Sequence, residues 1–217
     1  MQSIIPSHYC QYSVPHQTTK LIVLTGGPGA GKTAILELAR KQLCEHVAIF
    51  PESASIIFNG GFWRLPSASA KMASQRAIYY IQKEMESLVL GEKKWGLGLC
   101  DRGTLDGLAY WPEQENIFWD MLKTSKKIEF EKYSAVIHLR TPSIEFGYNF
   151  QNPIRTETAI EASIIDNRIY QIWKDHSNYQ QIDSTHNFLD KVEQALALIL
   201  TQVPECCRQH LKMPLRK

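Results

Sequence analysis

No stretch of the 217 residues reaches the roughly 18 consecutive apolar residues that a membrane-spanning helix needs. Met1 to Pro6 lacks a basic start running into an apolar segment, so no secretory leader is expected and the chain reads as cytoplasmic. Charge of one sign is not in excess. There are 24 Lys and Arg against 22 Asp and Glu, a formal net of +2. Nucleic-acid modules carry a strong basic balance or a dense basic stripe, and no nucleic-acid partner is expected here. The three lysines within Lys123 to Lys127 read as a solvated helix end.

Cysteine is sparse and odd in number: Cys10, Cys44, Cys100, Cys206 and Cys207. Their spacing matches no zinc framework, and the pattern fits a reducing compartment. Cys44 and Cys100 lie in apolar segments and are expected as small core residues. Cys206-Cys207 stands near a basic tail; acylation is the lesser reading and an unmodified tail the expected one. His8, Cys10 and His16 lack an evident fourth ligand and read as part of a surface segment. Internal repeats, low-complexity tracts and linkers rich enough to mark a second domain are also missing. One domain is expected over 20–203, with an arm at 1–19 and a tail at 204–217.

What is present is an ordinary globular composition, 44% hydrophobic and 21% charged. Short apolar runs bounded by turn signals predict strands at Lys20–Thr25, Val47–Phe50, Leu97–Cys100 and Ser134–Leu139, and Tyr179–Ile182 is a candidate for a fifth, short strand. Between them, periodicity predicts helices over Lys32–Cys44, Ser67–Leu90, Thr156–His176 and Phe188–Val203. The segments Asn59–Ser67 and Trp111–Asn116 read as loops. Strands alternating with helices give right-handed crossovers and a parallel sheet covered on both faces, an α/β three-layer sandwich.

The most specific motif is Gly26-Gly27-Pro28-Gly29-Ala30-Gly31-Lys32-Thr33, which fits G-x-x-x-x-G-K-[ST]. The glycines let the backbone curl with its N–H groups inward. The following helix adds free N–H groups and its dipole to the same anion site. Lys32 supplies a cation for the β- and γ-phosphates, and the Thr33 hydroxyl is a ligand for Mg²⁺. The expected ligands are therefore ATP or GTP with Mg²⁺. Asn-Lys-x-Asp, the guanine-reading motif, is missing, which counts against a standard GTPase.

Two strands run into acids, Asp101-Arg102-Gly103 and Pro51-Glu52-Ser53. Ligands of open parallel sheets gather at the carboxyl ends of the strands, so both acids are expected at the phosphate loop. Asp101 is expected to hold Mg²⁺, Arg102 to contact phosphate or substrate, and Glu52 to take a proton from an acceptor hydroxyl. Further cations for the moving phosphoryl group are Arg155, before a helix, and Arg168, upon it; Arg140 follows the fourth strand. On the helix from Ser67, Ile78, Ile81, Met85 and Leu88 form an apolar stripe. Gln75, Tyr79, Gln82 and Glu86 share a separate face, which fits an acceptor pocket or a solvated surface equally. Phe62, Trp63 and Arg64 precede that helix and fit either a cover over a planar substrate or a core plug.

Thr25 to Thr33, Phe50-Pro51-Glu52-Ser53-Ala54 and Cys100 to Tyr110 together resemble the predicted-ATPase family of P-loop NTPases. That family includes the ribosylnicotinamide kinase domain of NadR-type proteins. The Asp-Arg-Gly segment is also similar to the Asp/Glu-Arg-Ser segment of deoxynucleoside kinases. The resemblance implies a kinase-like fold with a five-stranded parallel sheet and the Asp101 strand beside the phosphate-loop strand. It implies Lys32 and Thr33 at the phosphates, Asp101 at magnesium, Glu52 as base, Arg102 near the phosphates and Asp106 as a further contact. The function expected is a small-molecule kinase acting on a hydroxyl acceptor of nucleoside-like type. The rival is an ATP- or GTP-dependent regulatory binding module or slow NTPase without an acceptor.

Overall fold

The computed structural model describes residues 16, 18–142, 158–184 and 187–208. Five strands are formed: β1 (Lys20–Thr25), β2 (Val47–Ile49), β3 (Leu97–Asp101), β4 (Ala135–Leu139) and β5 (Tyr179–Ile182). They form one all-parallel sheet in the order β2-β3-β1-β4-β5. The fold is α/β, as the strand–helix alternation predicts, and β3 pairs directly with β1.

The central strands are buried on both faces because helices cover each side. Side chains alternate between the two layers along every strand. Ile22 and Leu24 of β1, Leu97 and Leu99 of β3 and Ile137 and Leu139 of β4 pack on one side. There they meet α1 (Lys32–Gln42) and α7 (Phe188–Gln202) through Ile35, Leu36, Val192, Leu196 and Ile199. Leu21, Val23, Cys100 and Val136 point the other way. Their partners come from α3 (Ala68–Glu92), a 3-10 helix (Thr104–Tyr110), α4 (Glu115–Leu122) and α6 (Ala159–Trp173). Cys44 and Cys100 are buried in these two layers, as small core residues.

Several short elements escape the periodicity argument. These are α2 (Ser53–Asn59), the 3-10 helix, α4, α5 (Lys126–Glu131) and α8 (Glu205–Arg208). Each is too brief for a helical period to show against noise, and α2 (Ser-Ala-Ser-Ile-Ile-Phe-Asn) is poor in strong helix formers. Within the segment expected as a C-terminal tail, α8 is the described part.

The long helix α3 requires a correction. Leu88, in the expected apolar stripe, is 60% exposed. Tyr79, Gln82 and Glu86 are buried, and Ser74 and Val89 with them. The polar face is the one turned inward. A second correction concerns the residues before α3: Trp63 is 77% and Phe62 40% exposed, so neither plugs the core.

Candidate functional site

The loop Gly26–Gly31 leaves β1 and enters α1 through Gly31, whose left-handed φ of 97° suits glycine alone among common residues. No side chain caps α1, so its first N–H groups stay available to an anion. Gly27 lies hard against α6. A Cβ there would sit 2.9 Å from the Ala162 carbonyl oxygen and 2.5 Å from Thr141 Oγ1.

Around this loop lies a cleft of about 360 Å³. Pro28, Gly29, Lys32 and Thr33 of the loop and of α1 line it. So do Glu52, Asp101 and Arg102, at the carboxyl ends of β2 and β3. Gln75, Tyr79 and Gln82 of α3, with Phe58 and Tyr110, complete its wall. The structure thus brings together the phosphate loop, Glu52, Asp101 and Arg102. Arg155 lies outside the described residues. Arg168 lines neighbouring hollows and is not among the residues lining the cleft.

Lys32 is buried, and its ammonium group donates to the carbonyl oxygens of Gly26 (2.8 Å) and Gly27 (3.1 Å). Burial, and next the Arg102 charge, push its pKa down to about 8. Asp101 is also buried, and its Oδ1 has no hydrogen-bond partner among the described residues. Burial outweighs the Lys32 charge and raises its carboxyl to about 6. The orphaned buried carboxylate oxygen of Asp101 and the hydroxyl of exposed Thr33, lining one cleft, are hard oxygen donors of the kind that suits Mg²⁺.

Arg102 takes a left-handed φ of 72°, an uncommon state for a residue with a side chain. From there its guanidinium spans three partners. Nε donates to Glu52 Oε1 (2.9 Å), and Nη1 donates to the Gly26 carbonyl (3.1 Å) and approaches Asp106 Oδ2 (3.5 Å). Glu52 also accepts from Ser55 Oγ at 2.7 Å. Burial alone would raise the Glu52 carboxyl, but Arg102, Ser55 and Lys32 together hold it down at about 2. Asp106 is occupied on both oxygens, by Thr25 Oγ1 (2.5 Å) and Trp173 Nε1 (2.7 Å). It fixes Arg102 and the end of β1 rather than presenting a free oxygen to the cleft.

Sequence reasoning missed a second charged cluster behind the loop. Asp166 Oδ1 accepts from the Gly27 N–H (2.9 Å) and meets His138 Nε2 (2.9 Å), while Arg140 approaches Oδ2 at 3.1 Å. Two signals were available. His138 interrupts the apolar run of β4, and buried polar side chains need partners. Asp166 stands in the inward row Ala162, Asp166, Ile169, Trp173, at helical spacings of four, three and four. A third cluster lies under the cleft: Glu129 accepts from Tyr79, Thr104, Thr124 and Lys132.

The family model for the AAA domain matches residues 21–188, a span from β1 to the start of α7. No curated protein matches the chain.

Proposed function

This chain belongs to the AAA domain family of P-loop NTPases, and on that premise we propose that it is a small-molecule kinase that moves the γ-phosphate of ATP to a hydroxyl acceptor. The observation that carries this reading is the continuity of the cleft. The cleft that takes in the phosphate loop, Glu52 and Arg102 is also walled by the rings of Phe58, Tyr79 and Tyr110 and the amides of Gln75 and Gln82, which a bare nucleotide-phosphate site has no use for. The resemblance to NadR-type and deoxynucleoside kinases points the same way. In this reading residues 20–203 carry both the nucleotide site and the acceptor cleft.

The residues divide the work by charge and position. The loop N–H groups and Lys32 take the triphosphate, and Lys32 regains its full charge when anionic oxygens replace the Gly26 and Gly27 carbonyls. Thr33 and Asp101 would hold Mg²⁺, which supplies charge neutralisation of the phosphate oxygens. Arg102, pinned by Glu52 and Asp106, presents its guanidinium at the edge of the loop for the charge that develops on transfer. Glu52, with its carboxyl held near 2, is a weak base but a permanent hydrogen-bond acceptor. It orients the hydroxyl, whose proton leaves late in a loose transition state.

Thermal unfolding with ATP·Mg²⁺ and GTP·Mg²⁺ tests the nucleotide site. A ligand at 100 times its Kd adds about 2.7 kcal/mol. The shift should appear in the wild-type chain and vanish in Lys32→Ala. Release of ADP is then followed against a panel of hydroxyl compounds. An acceptor-dependent rate that falls about 100-fold or more in Glu52→Ala, with ATP affinity kept, supports the kinase. A nucleotide shift without any acceptor-stimulated turnover leaves the regulatory binding module in its place.

A further inference from the structure

Next to the cleft lies a second hollow of about 420 Å³, and the two share Phe58, Arg64, Gln75 and Tyr110 as a common wall. The hollow also receives Lys71 from α3 and Arg168 from α6. None of Arg64, Lys71 and Arg168 forms an ion pair among the described residues. Arg64 lies over the Phe58 ring at 4.1 Å, which fixes its plane at the shared wall and leaves its N–H edge free. Arg168 gives one N–H to the Ala109 carbonyl (3.2 Å), which orients the rest of its fork.

The acid in this hollow is already committed. Glu161 accepts from the N–H (2.7 Å) and the hydroxyl (2.8 Å) of Thr158 and closes the capping box of α6. Glu113 and Glu115 line another hollow with Arg168 and pair with no arginine among the described residues. Among the described residues three cations thus face one acid, in a concavity that includes apolar Ile164 and Ile165 and focuses their field. Guanidinium forks match phosphate and carboxylate oxygens two at a time.

We infer that the acceptor is an elongated anion: a hydroxyl at Glu52, a planar middle along Phe58 and Tyr110, and a phosphate or carboxylate among Arg64, Lys71 and Arg168. This rests on the kinase reading and narrows its substrate class from neutral alcohols to anionic ones.

The test is calorimetric and needs no turnover. Pyrophosphate, the four common nucleosides and their 3′-monophosphates, which keep the 5′-hydroxyl free, are titrated into Lys32→Ala, whose phosphate loop is disabled. They are then titrated into the same chain carrying Arg64→Ala and Arg168→Ala as well. Both arginines are exposed, and circular dichroism checks that the fold survives their loss. At least one 3′-monophosphate should bind about tenfold or more tighter than its nucleoside and than pyrophosphate. That preference should collapse without the arginines and return in part with Arg64→Lys and Arg168→Lys. Equal binding of nucleoside and nucleotide, no effect of the arginines, or no binding at all overturns the inference. Pyrophosphate binding as tightly as the nucleotides makes the hollow a site for free anions and overturns it equally. A neutral acceptor turned over by the intact chain would sink this inference and keep the kinase.

Discussion

Lys32 and Asp101 are opposite charges buried in one cleft, and burial moves each towards neutrality. Lys32 binds phosphate only when protonated. Its pKa of about 8 in the free chain means that the charged form is complete below pH 7 and is lost as pH rises through 8. ATP affinity measured by calorimetry should therefore be about tenfold weaker at pH 9 than at pH 7. A flat profile would show that Lys32 keeps its proton in the free cleft.

The Asp101 pKa is shifted in the opposite direction. Its folded pKa, about 6, lies above the unfolded value of 3.8. The folded chain therefore binds the extra proton between those values, and stability falls as pH rises through the window. At pH 7 the ionised, half-orphaned carboxylate is a liability until a cation binds. Asp101→Asn should raise the stability of the ligand-free chain by about 1–2 kcal/mol, less than the roughly 3 kcal/mol of the shift itself because Lys32 loses a counter-charge in the same change. It should also remove the dependence of nucleotide binding on Mg²⁺. Chemical unfolding at pH 7, with and without Mg²⁺·ATP, reads both effects.

At the scale of elements, α6 acts as a backboard for the phosphate loop. Its Asp166 holds the Gly27 N–H, and its Ala162 carbonyl leaves no room for a side chain at that glycine. Gly27→Ala must push the loop off the helix. It should cost about 1–3 kcal/mol of stability and weaken ATP binding in the same variant. Asp166→Ala should also cost at least about 2 kcal/mol, because the Gly27 N–H, His138 and Arg140 all lose a buried partner. Urea unfolding at neutral pH tests the pair. A loss of stability without loss of nucleotide affinity would separate the helix from the loop and remove this role.

Four of the five strands were legible in advance as short apolar runs that end in a turn signal, whereas β5 (Tyr-Gln-Gln-Ile) carries two polar residues at its centre. The long helices were legible in extent but not in orientation. In α3, composition favours Ile78, Ile81, Met85 and Leu88 for the core. The helix instead buries Tyr79, Gln82 and Glu86, which find partners in Glu129, Ser53 and Tyr133. Hydrophobic spacing ranks faces by transfer energy alone. A polar face wins when the neighbouring elements supply hydrogen bonds for every group it buries.

Across the whole molecule, Trp173 joins distant parts of the chain. It is fully buried at the end of α6, stacks on Phe130 of α5 (ring centroids 5.5 Å apart) and donates to Asp106 in the 3-10 helix. Through Asp106 it supports Thr25 and Arg102 at the cleft. Trp173→Ala should destabilise the fold by about 3–5 kcal/mol. Trp173→Phe should cost less but leave Asp106 Oδ1 without its donor, and so lower catalytic turnover more than ATP affinity. Equal effects of Trp173→Phe on the two would confine Trp173 to packing.

By itself the sequence determined the sheet, the phosphate loop and the acids at the strand ends. These features follow from local patterns: a strand period, glycines where the backbone must curl, and charges placed just past apolar runs. Only the tertiary structure decided that Glu52 is tied to Arg102, that Asp166 and His138 support Gly27, and that α3 turns its polar face inward. Those pairings join residues 50, 139 and 28 positions apart, and 50 in the contact of Tyr79 with Glu129. No local pattern encodes them, because their energy depends on burial and on partners that exist only once the chain has folded.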